Sequence, residues 1–157
     1  VNVDKFLGAS LSLREASIEV PELAEFFEDG EDAVWVVRGL TAVDLGRAGE
    51  ESQRSENIEA LVSAVSGEGD KVDAIRKAFG ISGKDVPADV SRRIAILAAG
   101  SVSPALGEDR RDVAVRLAET FPTTFYTLTN KILSLTGEGA ELGKRKGSGK
   151  AAASARS

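Results

Sequence analysis

The spacing of apolar residues changes along the chain, and the change divides it. Ser17-Ile18-Glu19-Val20 alternates polar and apolar, the period-2 pattern of a half-buried strand. Ala33-Val34-Trp35-Val36-Val37 is a continuous β-branched and aromatic run, as in a strand covered on both faces, and Arg38-Gly39 breaks it. The pattern predicts that the two runs pair antiparallel, with Leu11-Ser12-Leu13 as a candidate third contribution. So small a sheet cannot stand alone and must lay its apolar face on helices. Between the runs, Glu22 to Glu28 reads as a short helix ending near Gly30. Pro21 sits in its first turn, where a missing N–H costs nothing.

From Thr41 the period is helical. Thr41-Ala42-Val43-Asp44 is a capping box, with Thr41 as N-cap and the Asp44 carboxylate reaching back from N3. The helix it opens could run to Val65. Its second half has the clearer face, Ile58, Leu61, Val62 and Val65. Gly46, Gly49 and Ser52 weaken the first half and predict a kink or a close helix approach there. A further helix carries Val72, Ile75 and Phe79 and stops at Gly80. Asp85 to Asp89 starts the next, with Pro87 in the first turn and Asp85 or Val86 as cap, above a stripe of Val90, Ile94 and Leu97. Another opens among Glu108, Asp109 and Asp112, which suit the positive end of the helix dipole, and its stripe is Val113, Leu117 and Phe121. Pro122 opens the last helix, with Phe125, Leu128, Ile132 and Leu135 on one face and Gly137 at its end. The expected fold is mainly α: a small N-terminal antiparallel sheet on five or six helices, forming one domain over residues 1–139.

Charge sharpens this picture at both ends. Residues 1–142 hold all 25 acidic side chains and 15 basic ones. Residues 143–157 hold five basic side chains, no acidic one and nothing large and apolar, so 140–157 is expected to be a disordered basic tail. Glu19 to Asp32 carries seven acidic residues and no basic one, interleaved with Leu23, Phe26 and Phe27.

Composition also removes chemistries. With no Cys and no His, there is no disulfide, thiol nucleophile, imidazole base or thiolate zinc site. The glycine clusters match neither phosphate-binding pattern, and Glu28 to Asp32 lacks the EF-hand spacing. No catalytic, cofactor or metal set is expected, and the chain reads as a non-enzyme. Apolar stretches fall far short of a membrane span, and Asp4 and Lys5 argue against a signal peptide. A soluble intracellular protein is expected. The doublets Arg92-Arg93 and Arg110-Arg111 sit in an acidic body, which disfavours nucleic acid as the main partner.

What remains suits binding to protein. Phe26 and Phe27 are adjacent, so one helix face cannot bury both; one is expected to pack on the sheet and the other to wrap over or serve a partner. Phe121-Pro122-Thr123-Thr124-Phe125-Tyr126 is the densest aromatic stretch, either an interhelical corner or an assembly contact. Trp35 is either core or an anchor. The candidate partner-binding residues are therefore Phe26, Phe27, Glu25, Glu28, Asp29, Phe121, Phe125 and Tyr126.

The order of these parts resembles one family. An acidic segment with short strands leads into Val34-Trp35-Val36-Val37-Arg38-Gly39-Leu40-Thr41. A helix with Ala48, Glu50 and Glu51 follows, and the last helix reads Phe121-Pro122-Thr123-Thr124-Phe125 … Asn130-Lys131-Ile132-Leu133-Ser134-Leu135-Thr136-Gly137. Over about residues 15–139 this looks like the tail assembly chaperones of long-tailed bacteriophages and prophages. The resemblance implies a small, mainly helical, non-enzymatic protein of the host cytoplasm. Such a protein binds the tape measure protein, with the major tail protein and self-association as further contacts, and is absent from the mature virion. The rival classes are a retained tail or connector component and a DNA-associated regulatory helical protein.

Overall fold

The computed structural model describes residues 1–64, 69–71, 73 and 86–143. Helix α1 (Val3–Leu7) buries none of its residues and leads into β1 (Leu11–Leu13) and β2 (Glu15–Glu19). A 3-10 helix (Pro21–Phe26) and β3 (Val34–Arg38) follow. Then come α2 (Ala42–Ala64), α3 (Ala88–Gly100), β4 (Ser101–Ser103), α4 (Arg111–Thr120), α5 (Pro122–Glu138) and β5 (Ala140–Leu142). The fold is mainly α, with a small antiparallel sheet laid on helices. The helix expected around Val72, Ile75 and Phe79 lies outside the described residues, as does most of the basic tail.

The predicted strand pair forms, with Ile18 opposite Trp35 and Ala16 opposite Val37. Its third strand is not Leu11–Leu13 but β4, which pairs along the other edge of β3 with a bulge between Val36 and Val37. Leu11–Leu13 pairs instead with β5, setting Leu11 against Leu142. Ordered structure thus passes the expected boundary at Gly139, which turns with φ 71°, into a strand whose three side chains are all exposed. That strand is held by ladder hydrogen bonds and by Arg14, which reaches Glu141 at 3.3 Å, and not by burial.

Helix α5 is the centre of the core. Phe125, Leu128, Ile132 and Leu135 are all buried, as predicted, beside Ile94 and Leu97 of α3 and Leu117 of α4. Gly100 ends α3 against Ile132 so closely that a Cβ there would lie 2.7 Å from the Ile132 side chain. Among the described residues, Arg14 Nε is buried without a hydrogen bond, 3.7 Å from Glu138 Oε2, whereas the buried indole of Trp35 is paired. The Trp35 indole donates to Ser101 Oγ at 3.1 Å, and that hydroxyl donates to the Leu97 carbonyl at 2.8 Å.

Helix starts follow local chemistry with corrections. The capping box forms: Thr41 N–H donates to Asp44 Oδ2 at 3.0 Å and Asp44 N–H to Thr41 Oγ1 at 3.1 Å. Burial works against the Asp44 carboxylate, but the Thr41 backbone and hydroxyl hydrogen bonds, with Arg38 and Arg47 nearby, hold it below the usual range. Helix α2 is one element, and a Cβ at Gly46 or Gly49 would meet nothing within 4 Å. The close contact is made by buried Ala48, whereas Leu61 in the clearer-patterned half is exposed. Pro87 is the N-cap residue of α3, one place before the expected first turn. The helix expected over Glu22 to Glu28 is not α: Pro21–Phe26, six residues with no side-chain cap, close as 3-10 turns, and Phe27 is extended.

Candidate protein-binding groove

A groove of about 840 Å³ lies between the 3-10 helix and α4. Its floor is apolar: Leu23, Trp35, Leu106, Val113 and Leu117. The i, i+4 spacing in α4 explains the far wall. Val113, Leu117 and Phe121 form one row, Asp112, Arg116 and Thr120 the neighbouring row, and both rows face the groove. The predicted stripe of this helix is therefore a wall open to solvent on one side. Phe121 and Val113 are half-buried, while Leu117 is buried. Ala114, on another face, meets the core.

The near wall comes from the chain between β2 and β3. Phe27 turns inward and packs on the core; Phe26 turns out and stays 73% exposed. Its ring meets Phe121 edge to face, with centroids 6.2 Å apart and planes at 77°. The two phenylalanines divide as their adjacency requires. Glu22 ties this wall to α5 by accepting a hydrogen bond from the Thr124 hydroxyl. That bond, with Glu22's own backbone N–H, lowers the carboxyl pKa and outweighs slight desolvation.

Charge is arranged in opposition. Glu28 and Glu31 lie on the near wall, Arg110 and Arg116 on the far wall beside Asp112. Among the described residues no ion pair crosses the groove, and neither arginine head group has a partner. Glu25 and Asp29 are exposed and lie off the lining.

The Phe121–Tyr126 corner does not act as one patch. Phe121 faces the groove. Phe125, 1% exposed, is core and cannot contact a partner. Tyr126 is half-exposed on another face of α5, under the Arg93 guanidinium at 4.7 Å. Arg93 also donates to Asp89, Thr129 and Asn130, so it is structurally committed. The basic wall escaped the sequence reading, because a doublet such as Arg110-Arg111 does not say which face each residue takes. Arg110 faces the groove; Arg111 bridges to Glu51 at 2.9 Å.

Among the described residues no group of three or more metal-ligating side chains converges, and no helix is long and apolar enough to cross a membrane. Compared with protein-family profiles, curated proteins and solved structures, the chain matches none.

Proposed function

We propose that this protein is a non-enzymatic tail assembly chaperone of a long-tailed bacteriophage or prophage, and that its groove receives a helical segment of the tape measure protein. The observation that carries the reading is an open apolar floor between walls of opposite, unpaired charge. A long amphipathic helix offers the complement: an apolar stripe flanked by basic side chains on one side and acidic ones on the other. Phe26 supplies an exposed aromatic anchor, and Glu28, Glu31, Arg110 and Arg116 orient the helix and steer encounter. The partner is accordingly of mixed charge rather than simply basic. The protein acts in the host cytoplasm, with the major tail protein as a second contact, and leaves before the particle is complete.

The test is co-purification with the long coiled-coil-rich protein encoded beside it. Binding should be lost in Phe26→Ser and should weaken when Arg110 and Arg116 are both changed to Glu. A failure to bind, together with recovery of the chain from purified mature particles, would favour a retained structural component instead.

A further inference from the structure

The chain from Ser10 to Val20 runs as one extended edge, although it serves two sheets. Ser10 O accepts from Gly143 N–H at 2.9 Å, Arg14 O accepts from Gly39 N–H at 2.8 Å, and Val20 N–H donates to Ala33 O at 2.8 Å. With the registers of β1 on β5 and β2 on β3, these bonds turn the even-numbered backbone groups toward β5 and β3. The odd-numbered groups point the other way. The N–H and C=O of Leu11, Leu13, Glu15, Ser17 and Glu19 make no hydrogen bond in the described structure. Their side chains also share the solvent face: all are exposed except the half-buried Leu13, while Ala16, Ile18 and Val20 turn toward the core.

We infer that this edge takes an added strand from a partner, an extended polypeptide segment with basic residues at alternate positions. Unpaired edge groups are a template for strand addition. The face beside them carries Glu15 and Glu19, and among the described residues neither carboxylate has an ion-pair partner. Arg38, across the ladder from Glu15, is turned to Asp44 at 3.7 Å and to the Gly39 carbonyl. A second copy of this chain is a poor occupant, since full antiparallel overlap sets the two Glu15 carboxylates against each other. Lysines at alternate positions meet Glu15 and Glu19 and lay their methylene stems along Leu11 and Leu13. The inference stands on a different surface from the groove and does not depend on it.

The probe is a synthetic nine-residue peptide alternating Lys with Val or Thr, followed by amide hydrogen exchange of the whole protein. The peptide should slow exchange at Leu11, Leu13, Glu15, Ser17 and Glu19 by about tenfold or more and leave Ala16 and Ile18 unchanged. Replacing its lysines with Glu, or N-methylating its alternate amides, should abolish the effect. Ser17→Pro should abolish it too, because the ring removes a free N–H and leaves the ladder bonds of Ala16 and Ile18 intact. If that variant unfolds, the N-methylated peptide carries the same test with the protein unaltered. Unchanged exchange at saturating Lys peptide, or equal protection by the Glu peptide, overturns the inference. Protection that grows with protein concentration alone overturns the assigned occupant in favour of a second copy.

Discussion

Helices α4 and α5 carry the same signal and come to different ends. Each has an apolar stripe at helical spacing: Val113 and Leu117, continued by Phe121 at the cap, in one, and Phe125, Leu128, Ile132 and Leu135, three or four apart, in the other. The stripe of α5 is sealed, with every member at most 5% exposed and Gly100 pressed against it. The stripe of α4 is covered from one side and forms the wall of an open groove. Periodicity states which residues share a face; what lies over that face is decided by elements far along the chain. A sealed stripe contributes to stability, and an open one is available for binding.

The largest expected effect tests the sealed side. Leu128→Ala should cost about 2–5 kcal/mol in urea unfolding, since a fully buried leucine leaves a cavity. Val113→Ala, beside space that is already open, should cost about half as much or less. Equal costs would erase the distinction. Next, Gly100→Ala should destabilise by about 1–3 kcal/mol, read in the same way, because the added methyl meets Ile132 at 2.7 Å. A neutral result would mean that α3 and α5 can slide apart.

A smaller, local effect tests the link between the two regions. The Glu22 carboxyl is lowered from an ordinary value of 4.5, so its contribution is present above that pH and declines as pH falls through the lowered, folded value. Protection factors of amides around Phe26 and Phe27, taken against intrinsic exchange at the same pH, should then fall in acid while those of α5 hold, and Glu22→Gln should remove that pH dependence of protection. The smallest effect on stability belongs to Phe26→Ser, within about 0.5 kcal/mol because the ring is 73% exposed. The same variant should weaken partner binding at least tenfold. A melting temperature lowered by many degrees would show that Phe26 closes the groove.

Much of this was legible where the cause is local. The Thr41–Asp44 box lies within four residues, and the antiparallel pairing of the Ile18 and Trp35 runs, though not its register, follows from two patterned segments close in sequence. Strands β4 and β5 were not legible, because three residues are too few to show a period and Ser101-Val102-Ser103 has no strand composition. The same limit hid the groove. Phe26 meets Phe121 and Glu22 meets Thr124 across about a hundred residues, and no local pattern predicts which of Phe121, Phe125 and Tyr126 ends outward. Only Phe26, Phe27, Glu28 and Phe121 of the eight candidates line the groove.

The pairing of β1 with β5 has a mechanical consequence. Ser10 and Gly143, joined by the outermost hydrogen bond just beyond the Leu11–Leu142 pair, lie next to the two outward-leading ends of the chain. Tension applied through residues before Ser10 and after Gly143 therefore loads the hydrogen bonds one at a time, from the Ser10–Gly143 bond inward, rather than all together in shear. The ladder opens like a zip at low force, and its released length takes up the extension before the pull reaches α5. A handle attached at either end would leave the helical core undisturbed until those few bonds had parted.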